Sequence, residues 1–181
     1  MPPFYTRTGD EGKTGLLGDE RLDKFHPLIE TLGSIDEASA ALGLARSLSS
    51  LEETRNLLVD VQRDLYALMA EVATAPENAS RFRILNQVRV QWLESQVDAV
   101  SSRVQIPKEF ILPGDTTAGA ALALARTSVR RAERRLAELS ARGGLENPAM
   151  LPYLNRLSSL CFVLELEENQ QTGRQTTLAK E

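Results

Sequence analysis

Near the start of the chain, a run of small, polar and cationic residues has the composition of a phosphate-binding loop. Residues 6–14 read Thr-Arg-Thr-Gly-Asp-Glu-Gly-Lys-Thr. Glycines let backbone N–H groups approach a phosphate closely, threonine hydroxyls can donate hydrogen bonds to it, and Arg and Lys supply positive charge. The segment is not a P-loop, because the spacing G-x-x-x-x-G-K-[ST] is absent and no strand is predicted before it. A polyphosphate-binding loop and a mobile N-terminal arm both remain open, and the residues alone favour the arm.

A second candidate site is a cluster of arginines in the second half of the chain. Arg126, Arg130 and Arg134 stand at i, i+4 and i+8, which puts them on one face of a helix. Like charges at this spacing repel by roughly 0.2–0.5 kcal/mol per pair, and Glu133 and Glu138 relieve only part of this repulsion. In a protein of net charge −4, such a row suits an anionic partner, for example phosphates or carboxylates of another chain. The alternative is a solvated basic face with local ion pairs.

Three further groups of residues carry weaker signals. Asp36 and Glu37 lie in the first predicted helix, where acidic residues favour the helix dipole, and a partner arginine on the fourth helix is the functional alternative. Asn155 could recognise a base or ribose if it faces inward, although an exposed asparagine is commoner. The apolar loop at 110–114 (Phe-Ile-Leu-Pro-Gly) either packs on the core or lines a cavity for a large flat ligand. The single cysteine, Cys161, and the single histidine belong to no triad and no metal-ligand cluster.

Helical periodicity surrounds these residues and predicts an all-α fold. Apolar residues recur at intervals of three and four, which predicts helices over residues 28–47, 51–75, 85–104, 116–141 and 147–168. Asn147 and Pro148 are predicted as the N-cap and first position of the fifth helix. The glycines at 9, 12, 15 and 18 exclude a helix there, because each costs roughly 1 kcal/mol. With no strand-and-turn pattern and no internal repeat, the elements predict a five-helix bundle.

The chain divides into three predicted parts. Residues 1–27 form a flexible N-terminal loop, residues 28–168 form the bundle, and residues 169–181 form a polar tail that is predicted to be disordered. No apolar run approaches the ~20 residues of a membrane span, and the start lacks the apolar stretch of a secretory signal. The mildly negative charge argues against a nucleic-acid partner. These features predict a soluble, cytoplasmic protein that contacts no membrane.

In their order along the chain, these segments resemble the PduO-type ATP:cob(I)alamin adenosyltransferase family. The resemblance covers about residues 4–164, and the combination of motifs is specific, although no single motif is. The matching residues are 5–10 (Tyr-Thr-Arg-Thr-Gly-Asp), Lys24, Glu30, Gly33, Asp36-Glu37, 110–114, Ala125-Arg126-Thr127, 130–135 (Arg-Arg-Ala-Glu-Arg-Arg) and 155–158 (Asn-Arg-Leu-Ser).

The resemblance implies a ferritin-like five-helix bundle that assembles as a homotrimer with active sites between subunits. Its ATP-binding residues would be Thr6, Arg7, Thr8, Gly9, Thr14 and Lys24 in the loop, with Arg130, Arg131, Glu133, Arg134 and Asn155 on the helices. Asp36 and Arg126 match a pair that bridges subunits near the corrinoid. Phe110 matches a residue that helps to displace the lower ligand of the corrinoid. Of these residues, Arg130, Glu133, Arg134 and Phe110 are expected to take part in catalysis.

The implied activity transfers the 5′-deoxyadenosyl group of ATP to the cobalt of cob(I)alamin, giving adenosylcobalamin and triphosphate. Cobalt(I) would itself be the nucleophile, which agrees with the absence of a triad from the sequence. The protein would orient the reactants and stabilise the leaving triphosphate with arginines and Mg²⁺. Mg²⁺ is expected on the ATP phosphates rather than in a dedicated protein site. A reductase and an adenosylcobalamin-dependent acceptor enzyme are the expected protein partners.

The chain departs from the family pattern at four positions. Leu28 stands where Arg is frequent, and Asp115 stands where a second glycine often follows the Pro-Gly pair. Ser159 replaces a frequent Asp, and Glu165 replaces a frequent Arg. The nucleotide-binding residues are intact, so the departures concern the corrinoid and the subunit contact. Two other functions stay open: a non-catalytic carrier or sensor of adenosylcobalamin and ATP, and a purely structural helical oligomer.

Overall fold

The structure is a computed structural model that describes residues 5, 7–18, 20–74, 78 and 80–180. These residues form five α-helices and one short β-hairpin. The helices are α1 (Pro27–Leu48), α2 (Glu52–Val72), α3 (Gln87–Ser101), α4 (Thr117–Ala141) and α5 (Met150–Gln171). A single 3₁₀ turn lies at Ser80–Phe82, between α2 and α3. The predicted all-α five-helix bundle is confirmed.

One apolar core holds the bundle together. α1 packs against α2 and α4, and α5 packs against α3 and α4. Each helix contributes fully buried leucines to this core, for example Leu42, Leu65, Leu93, Leu136 and Leu154. Burial of such a side chain stabilises the fold by about 1.5–3 kcal/mol relative to its exposure. Within the described part of the chain, no helix combines the length and the apolar content that crossing a membrane requires.

Side-chain caps set the starts of α3 and α4. Thr116 Oγ1 accepts a hydrogen bond from Gly119 N at 2.9 Å, so α4 begins where the sequence predicts. Asn86 Oδ1 accepts a hydrogen bond from Arg89 N at 3.1 Å, so α3 begins after Asn86 rather than at residue 85. Because α4 carries the arginine row, the Thr116 cap also sets the position of that row along the bundle.

The start of α5 differs from the prediction, which placed the N-cap at Asn147. The helix begins at Met150, and Asn147 Oδ1 accepts a hydrogen bond from Ala149 N at 3.0 Å in a turn before it. Asn147 Nδ2 donates to Glu71 Oε2 and to Leu85 O, both at 2.9 Å. The amide is therefore held in a buried network that joins α5 to the end of α2 and to the segment before α3, and this network places it outside the helix.

We expect Asn147→Ala to lower the free energy of unfolding by about 2 kcal/mol, because the buried Glu71 carboxylate loses a hydrogen-bond donor. Urea denaturation followed by circular dichroism measures this change. Asn56→Ala is the matched control, since Asn56 is exposed on α2. Equal stabilities of the two variants would contradict a structural role for the Asn147 network.

The N-terminal part, predicted as a flexible loop without strands, contains a short β-hairpin. Strands β1 (Lys13–Gly15) and β2 (Arg21–Asp23) pair antiparallel, with Thr14 opposite Leu22. Leu17 N donates a hydrogen bond to Ala73 O at 3.1 Å, which connects the hairpin to the end of α2. Strands of three residues are too short for the alternating pattern by which a strand is predicted, so the sequence carries no signal for this hairpin.

The chain after α5 also differs from the prediction of a disordered tail beginning at residue 169. Helix α5 continues to Gln171. Beyond it, Leu112 N donates to Thr177 O at 2.8 Å, and Ala179 N donates to Phe110 O at 2.7 Å. These partners lie more than sixty residues apart in the sequence, so no local pattern in the polar tail could predict the contact.

Candidate functional site

The N-terminal loop brings a lysine beside a turn that contains two of its glycines. Gly12 N donates a hydrogen bond to Gly9 O at 3.2 Å, and Lys24 N donates to Gly12 O at 2.8 Å. Lys24 Nζ lies 3.4 Å from the position that a Cβ atom on Gly9 would occupy. Arg7 is exposed, has a φ of 60°, and its guanidinium lies 5.5 Å from the centre of the Tyr5 ring. The loop thus places cationic groups close to exposed backbone, which is the arrangement that binds phosphates.

Arg21, which the sequence analysis did not identify, organises the same loop. Its guanidinium donates to the carbonyl oxygens of Thr8 and Lys13, the latter at 3.2 Å. Thr14 lies half-buried in β1. Thr6, the remaining predicted loop residue, lies outside the described residues. An arginine in a short polar hairpin has no distinguishing pattern, so sequence reasoning had no signal for Arg21.

Arg130 and Arg134 form an exposed pair one turn apart on α4. Arg134 Nη1 donates to Arg130 O at 3.0 Å. Within the described residues, neither guanidinium makes an ion pair with a carboxylate, whereas the adjacent Arg131 pairs with Glu37 of α1. The ion pair between Arg131 and Glu37 joins α4 to α1. It is the kind of contact, with an arginine of the fourth helix, that was the functional alternative for Asp36-Glu37. Two exposed cations at this spacing can bind an anion bidentately or contact successive phosphates.

A line of hydrogen bonds continues this polar surface across α5 to α3. Asn155 Nδ2 donates to Glu133 Oε1 at 2.9 Å, and Asn155 Oδ1 accepts from Arg156 Nη1 at 2.7 Å. Arg156 Nε in turn donates to Glu94 Oε1 at 3.0 Å. Both ends of the Asn155 amide are therefore held, and the amide is exposed rather than facing the core. Glu94 lies on α3, and its part in this line was not predicted.

Asp36 and Arg126, predicted as a subunit-bridging pair, do not pair within the described chain. Asp36 is exposed on α1 and lines a cavity of about 570 Å³ together with Thr14 and Leu17. Arg126 is half-buried on α4, and its buried Nε has no hydrogen-bond partner among the described residues. A buried N–H without a partner costs about 1–3 kcal/mol.

Glu165, one of the four departures, is buried on α5 near Arg126. Its side chain is 1% exposed, and Oε1 has no hydrogen-bond partner among the described residues. Burial raises the pKa of the Glu165 carboxyl to about 7; the charge of Arg126 opposes the shift and that of Asp115 adds to it. One turn earlier, burial raises the pKa of the Cys161 thiol to about 12. A titratable acid thus stands at the position where the resemblance predicts arginine.

We expect Glu165→Gln to remove a pH-dependent loss of stability. Because the carboxyl has a higher pKa in the folded chain than its ordinary 4.5, the folded state is favoured while Glu165 is protonated and loses stability as pH rises towards about 7. Glutamine stays neutral, so the variant should exceed the wild type in stability at about pH 8.5, by on the order of 1–3 kcal/mol, and match it at about pH 4. Urea unfolding across this range measures the difference, with Glu109→Gln as an exposed control. Parallel stability–pH curves for all three proteins would contradict the shifted pKa.

Phe110 lies in the loop between α3 and α4, and its side chain is 88% exposed. Of the two alternatives for the apolar loop, packing on the core of this chain is therefore wrong for Phe110. The loop turns at Gly114, whose φ of 130° is a conformation that other residues rarely adopt. An exposed phenylalanine with this much apolar surface is suited to contact a ligand or another subunit.

Two of the other departures are Leu28 and Ser159. Leu28 packs against the core and, together with His26, lines a cavity of about 600 Å³. Ser159 is exposed on α5, and nothing in the structure explains this substitution. No group of three or more His, Cys, Asp or Glu side chains that could hold a metal ion occurs among the residues described.

Comparisons with curated proteins group this chain with one family. The cobalamin adenosyltransferase family model matches residues 4–168. The chain is 37% identical over 178 residues to the corrinoid adenosyltransferase PduO of Citrobacter freundii, covering 98% of this chain and 53% of that protein. It is 35% identical over 174 residues to the corrinoid adenosyltransferase of Bacillus subtilis, covering 94% of this chain and 88% of that protein. The chain thus spans about half the length of the PduO relatives.

Solved structures give the same grouping. A phenylalanine-to-alanine variant of the PduO-type ATP:corrinoid adenosyltransferase from Lactobacillus reuteri, complexed with cobalamin and ATP, matches with a TM-score of 0.90 and 31% identity, covering 99% of this chain and 100% of that chain. An arginine-to-lysine variant from the same organism, complexed with ATP, matches with a TM-score of 0.87 and 31% identity, covering 98% of this chain and 100% of that chain. The match of the family model over most of the chain decides the assignment: the chain belongs to the cobalamin adenosyltransferase family.

Proposed function

We propose that this protein transfers the 5′-deoxyadenosyl group of ATP to the cobalt of cob(I)alamin, giving adenosylcobalamin and triphosphate. The observation that carries the proposal is the exposed pair of Arg130 and Arg134, which meets no carboxylate within the described chain. In a member of this family, an unpaired cationic face beside the Glu133–Asn155 hydrogen bond fits the phosphates of ATP. The Lactobacillus reuteri enzyme complexed with cobalamin and ATP supports the same pair of substrates.

The proposed reaction is a displacement at the 5′ carbon of ATP. The electron pair of cobalt(I) forms the cobalt–carbon bond, the C5′–O5′ bond breaks, and its electron pair leaves on the triphosphate. No side chain needs to act as a nucleophile or general base. The protein must hold cobalt and carbon in line and stabilise the charge of the leaving group.

The arginine face would supply most of this stabilisation. Arg130 and Arg134 would bind the triphosphate, while Arg131, already paired with Glu37, would add a weaker contribution. In the N-terminal loop, Arg7 and Lys24 would contact the same phosphates, together with Thr6, Thr8, Gly9 and Thr14. Mg²⁺ would enter bound to ATP and would neutralise phosphate charge.

Asn155 would orient the nucleoside part of ATP. Its amide is exposed, and both of its ends are held, by Glu133 on one side and by Arg156 on the other. A side chain held in one orientation loses little further freedom when a ligand binds. Glu133 therefore supports catalysis by holding Asn155 beside the two arginines.

The corrinoid would bind at a contact between subunits of a homotrimer. The exposed Asp36 and the half-buried Arg126, which do not pair within the described chain, support a pair between neighbouring subunits. The exposed Phe110 side chain would lie against the lower face of the corrinoid, where an apolar group disfavours the lower axial ligand and eases reduction of cobalt(II). We place this chemistry in the cytoplasm, with a reductase as the electron donor and an adenosylcobalamin-dependent enzyme as the acceptor of the product.

The test is an anaerobic assay with chemically reduced cobalamin, ATP and Mg²⁺, which follows the visible spectrum for the formation of a cobalt–carbon bond. The proposal predicts a light-sensitive product and one triphosphate released for each cobalt–carbon bond formed. If folded protein binds ATP and cobalamin but the spectrum does not change over hours, the protein is a carrier or sensor and the proposal fails. If it binds neither ligand, the structural alternative is favoured.

A further inference from the structure

The segment that follows α5 (residues 172–180, the docked segment) pairs with the loop that carries Phe110. Leu178 forms an antiparallel bridge with Ile111. The hydrogen bonds from Leu112 N to Thr177 O (2.8 Å) and from Ala179 N to Phe110 O (2.7 Å) flank this bridge. The docked segment therefore fixes the backbone around Phe110 at three successive residues: it donates a hydrogen bond to the carbonyl of Phe110, pairs with Ile111 and accepts a hydrogen bond from Leu112.

A polar clamp closes this contact on the side of α4. Asp115 Oδ1 accepts a hydrogen bond from Thr177 Oγ1 at 2.6 Å, and Asp115 Oδ2 accepts one from Thr177 N at 3.0 Å. These two hydrogen bonds hold the pKa of the Asp115 carboxyl below its usual range, with a further contribution from the charge of Arg174. Asp115 directly precedes Thr116, the N-cap of α4, so the clamp ties the docked segment to the end of a rigid helix.

The other end of the Phe110 loop is fastened to α5. Gln105 N donates to Gln170 Oε1 at 3.0 Å, and Gln170 Nε2 donates to Gln105 O at 2.9 Å. The loop between Gln105 and Asp115 is thus held at both ends and in its middle, while the Phe110 side chain stays 88% exposed. Ordering the backbone of each loop residue costs about 1–2 kcal/mol of conformational entropy, and these hydrogen bonds offset part of that cost before any ligand arrives.

We infer that Asp115 and Thr177 are positioning residues for the adenosyl transfer, because their clamp holds the docked segment against the loop that presents Phe110 to the corrinoid. The inference rests on the proposed function and deepens it. Neither residue needs to touch a substrate.

The test compares Thr177→Ala with Thr177→Ser, which keeps the hydroxyl, and with Thr176→Ala, a neighbour for which the structure records no side-chain hydrogen bond. The first readout is the electron paramagnetic resonance spectrum of cob(II)alamin bound with ATP, which reports the four-coordinate fraction. The second is kcat and KM for each substrate, measured from cob(II)alamin with a reductant. For Thr177→Ala we expect a smaller four-coordinate fraction and a roughly two- to tenfold lower kcat/KM for cobalamin, with an unchanged KM for ATP. Thr177→Ser and Thr176→Ala should resemble the wild type, and Asp115→Ala should resemble Thr177→Ala.

Two results overturn the inference. One is a Thr177→Ala protein whose spectrum and rates equal those of the wild type. The other is an equal loss for ATP and cobalamin together with lower thermal stability, which would mean that the clamp only supports the fold. If the wild type itself catalyses no transfer, the proposed function fails, and the spectrum of bound cob(II)alamin still decides the positioning role because it requires no turnover.

Discussion

Arg130→Ala should lower kcat/KM for ATP by about 10²- to 10³-fold, the loss that follows removal of one group that stabilises a developing charge. In the reaction proposed here, negative charge grows on the triphosphate as the C5′–O5′ bond breaks. Arg130 is exposed and meets no carboxylate in the described chain, so its charge is directed to whatever anion binds there. Its neighbour Arg131 cannot replace it fully, because Arg131 is already paired with Glu37.

The stability of Arg130→Ala should not fall with its activity. Arg126, Arg130 and Arg134 repel one another along one face of α4, and each pair costs roughly 0.2–0.5 kcal/mol. Removing Arg130 relieves this repulsion, so the free energy of unfolding of Arg130→Ala should stay the same or rise slightly. A residue whose replacement lowers activity but not stability is required for function rather than for folding.

Stopped-flow or steady-state assays with chemically reduced cobalamin measure the activity, and urea unfolding measures the stability. Arg135→Ala is the matched control, since Arg135 lies on the same helix and pairs locally with Glu138 at 3.4 Å. The control should keep its activity. If both variants lose activity equally, general electrostatics rather than a site at Arg130 is responsible, and full activity of Arg130→Ala would favour the solvated basic face.

The helices were predictable because their signals are local. Thr116 caps α4, the paired glycines after α4 end it, and small and apolar residues at intervals of three and four, mostly alanines with Leu122, Val129 and Leu136, set its buried face. The positions of the arginine row and of Asn155 followed from this periodicity. Their mutual contacts did not, because the Glu133–Asn155 and Arg131–Glu37 contacts depend on how α4 packs against α5 and α1.

Three of the errors share one physical origin, which is a partner distant in sequence. The residues next to Asn147 predict a helix N-cap, but its amide instead donates hydrogen bonds to Glu71 and to the carbonyl of Leu85. The polar composition of the segment after α5 predicts disorder, but the segment forms hydrogen bonds with Asp115 and with the loop that carries Phe110. The hairpin formed by β1 and β2 is held partly by Arg21, which contacts carbonyl oxygens rather than side chains. Composition cannot reveal such contacts, because any residue offers the same carbonyl.

Phe110→Ala should slow formation of adenosylcobalamin by about 10- to 100-fold when the reaction starts from cob(II)alamin and a reductant. Contact of a phenylalanine side chain with an apolar surface is worth about 1.5–3 kcal/mol, and each 1.4 kcal/mol corresponds to tenfold in rate. The side chain is 88% exposed in this chain, so its removal leaves no cavity in the core. We therefore expect the free energy of unfolding to stay within about 0.5 kcal/mol of the wild type.

The decisive comparison is between two starting oxidation states. When cobalamin is supplied already reduced to cobalt(I), displacement of the lower ligand is no longer required, so the defect of Phe110→Ala should become much smaller. Ile106→Ala is the control within the same loop, since Ile106 is also exposed. It should be close to the wild type from either oxidation state, and KM for ATP should be unchanged in both variants.

A defect of equal size from both oxidation states would mean that Phe110 contributes only to binding or orienting the corrinoid. In that case Thr177→Ala should show the same equality, because its effect is transmitted through the Phe110 loop. If instead the defect of Phe110→Ala is confined to cob(II)alamin, Thr177→Ala should have a smaller rate defect in the same assay. That defect should also be confined to the reaction that starts from cob(II)alamin. The two variants together therefore separate the chemistry of the lower face from the geometry that presents Phe110 to it.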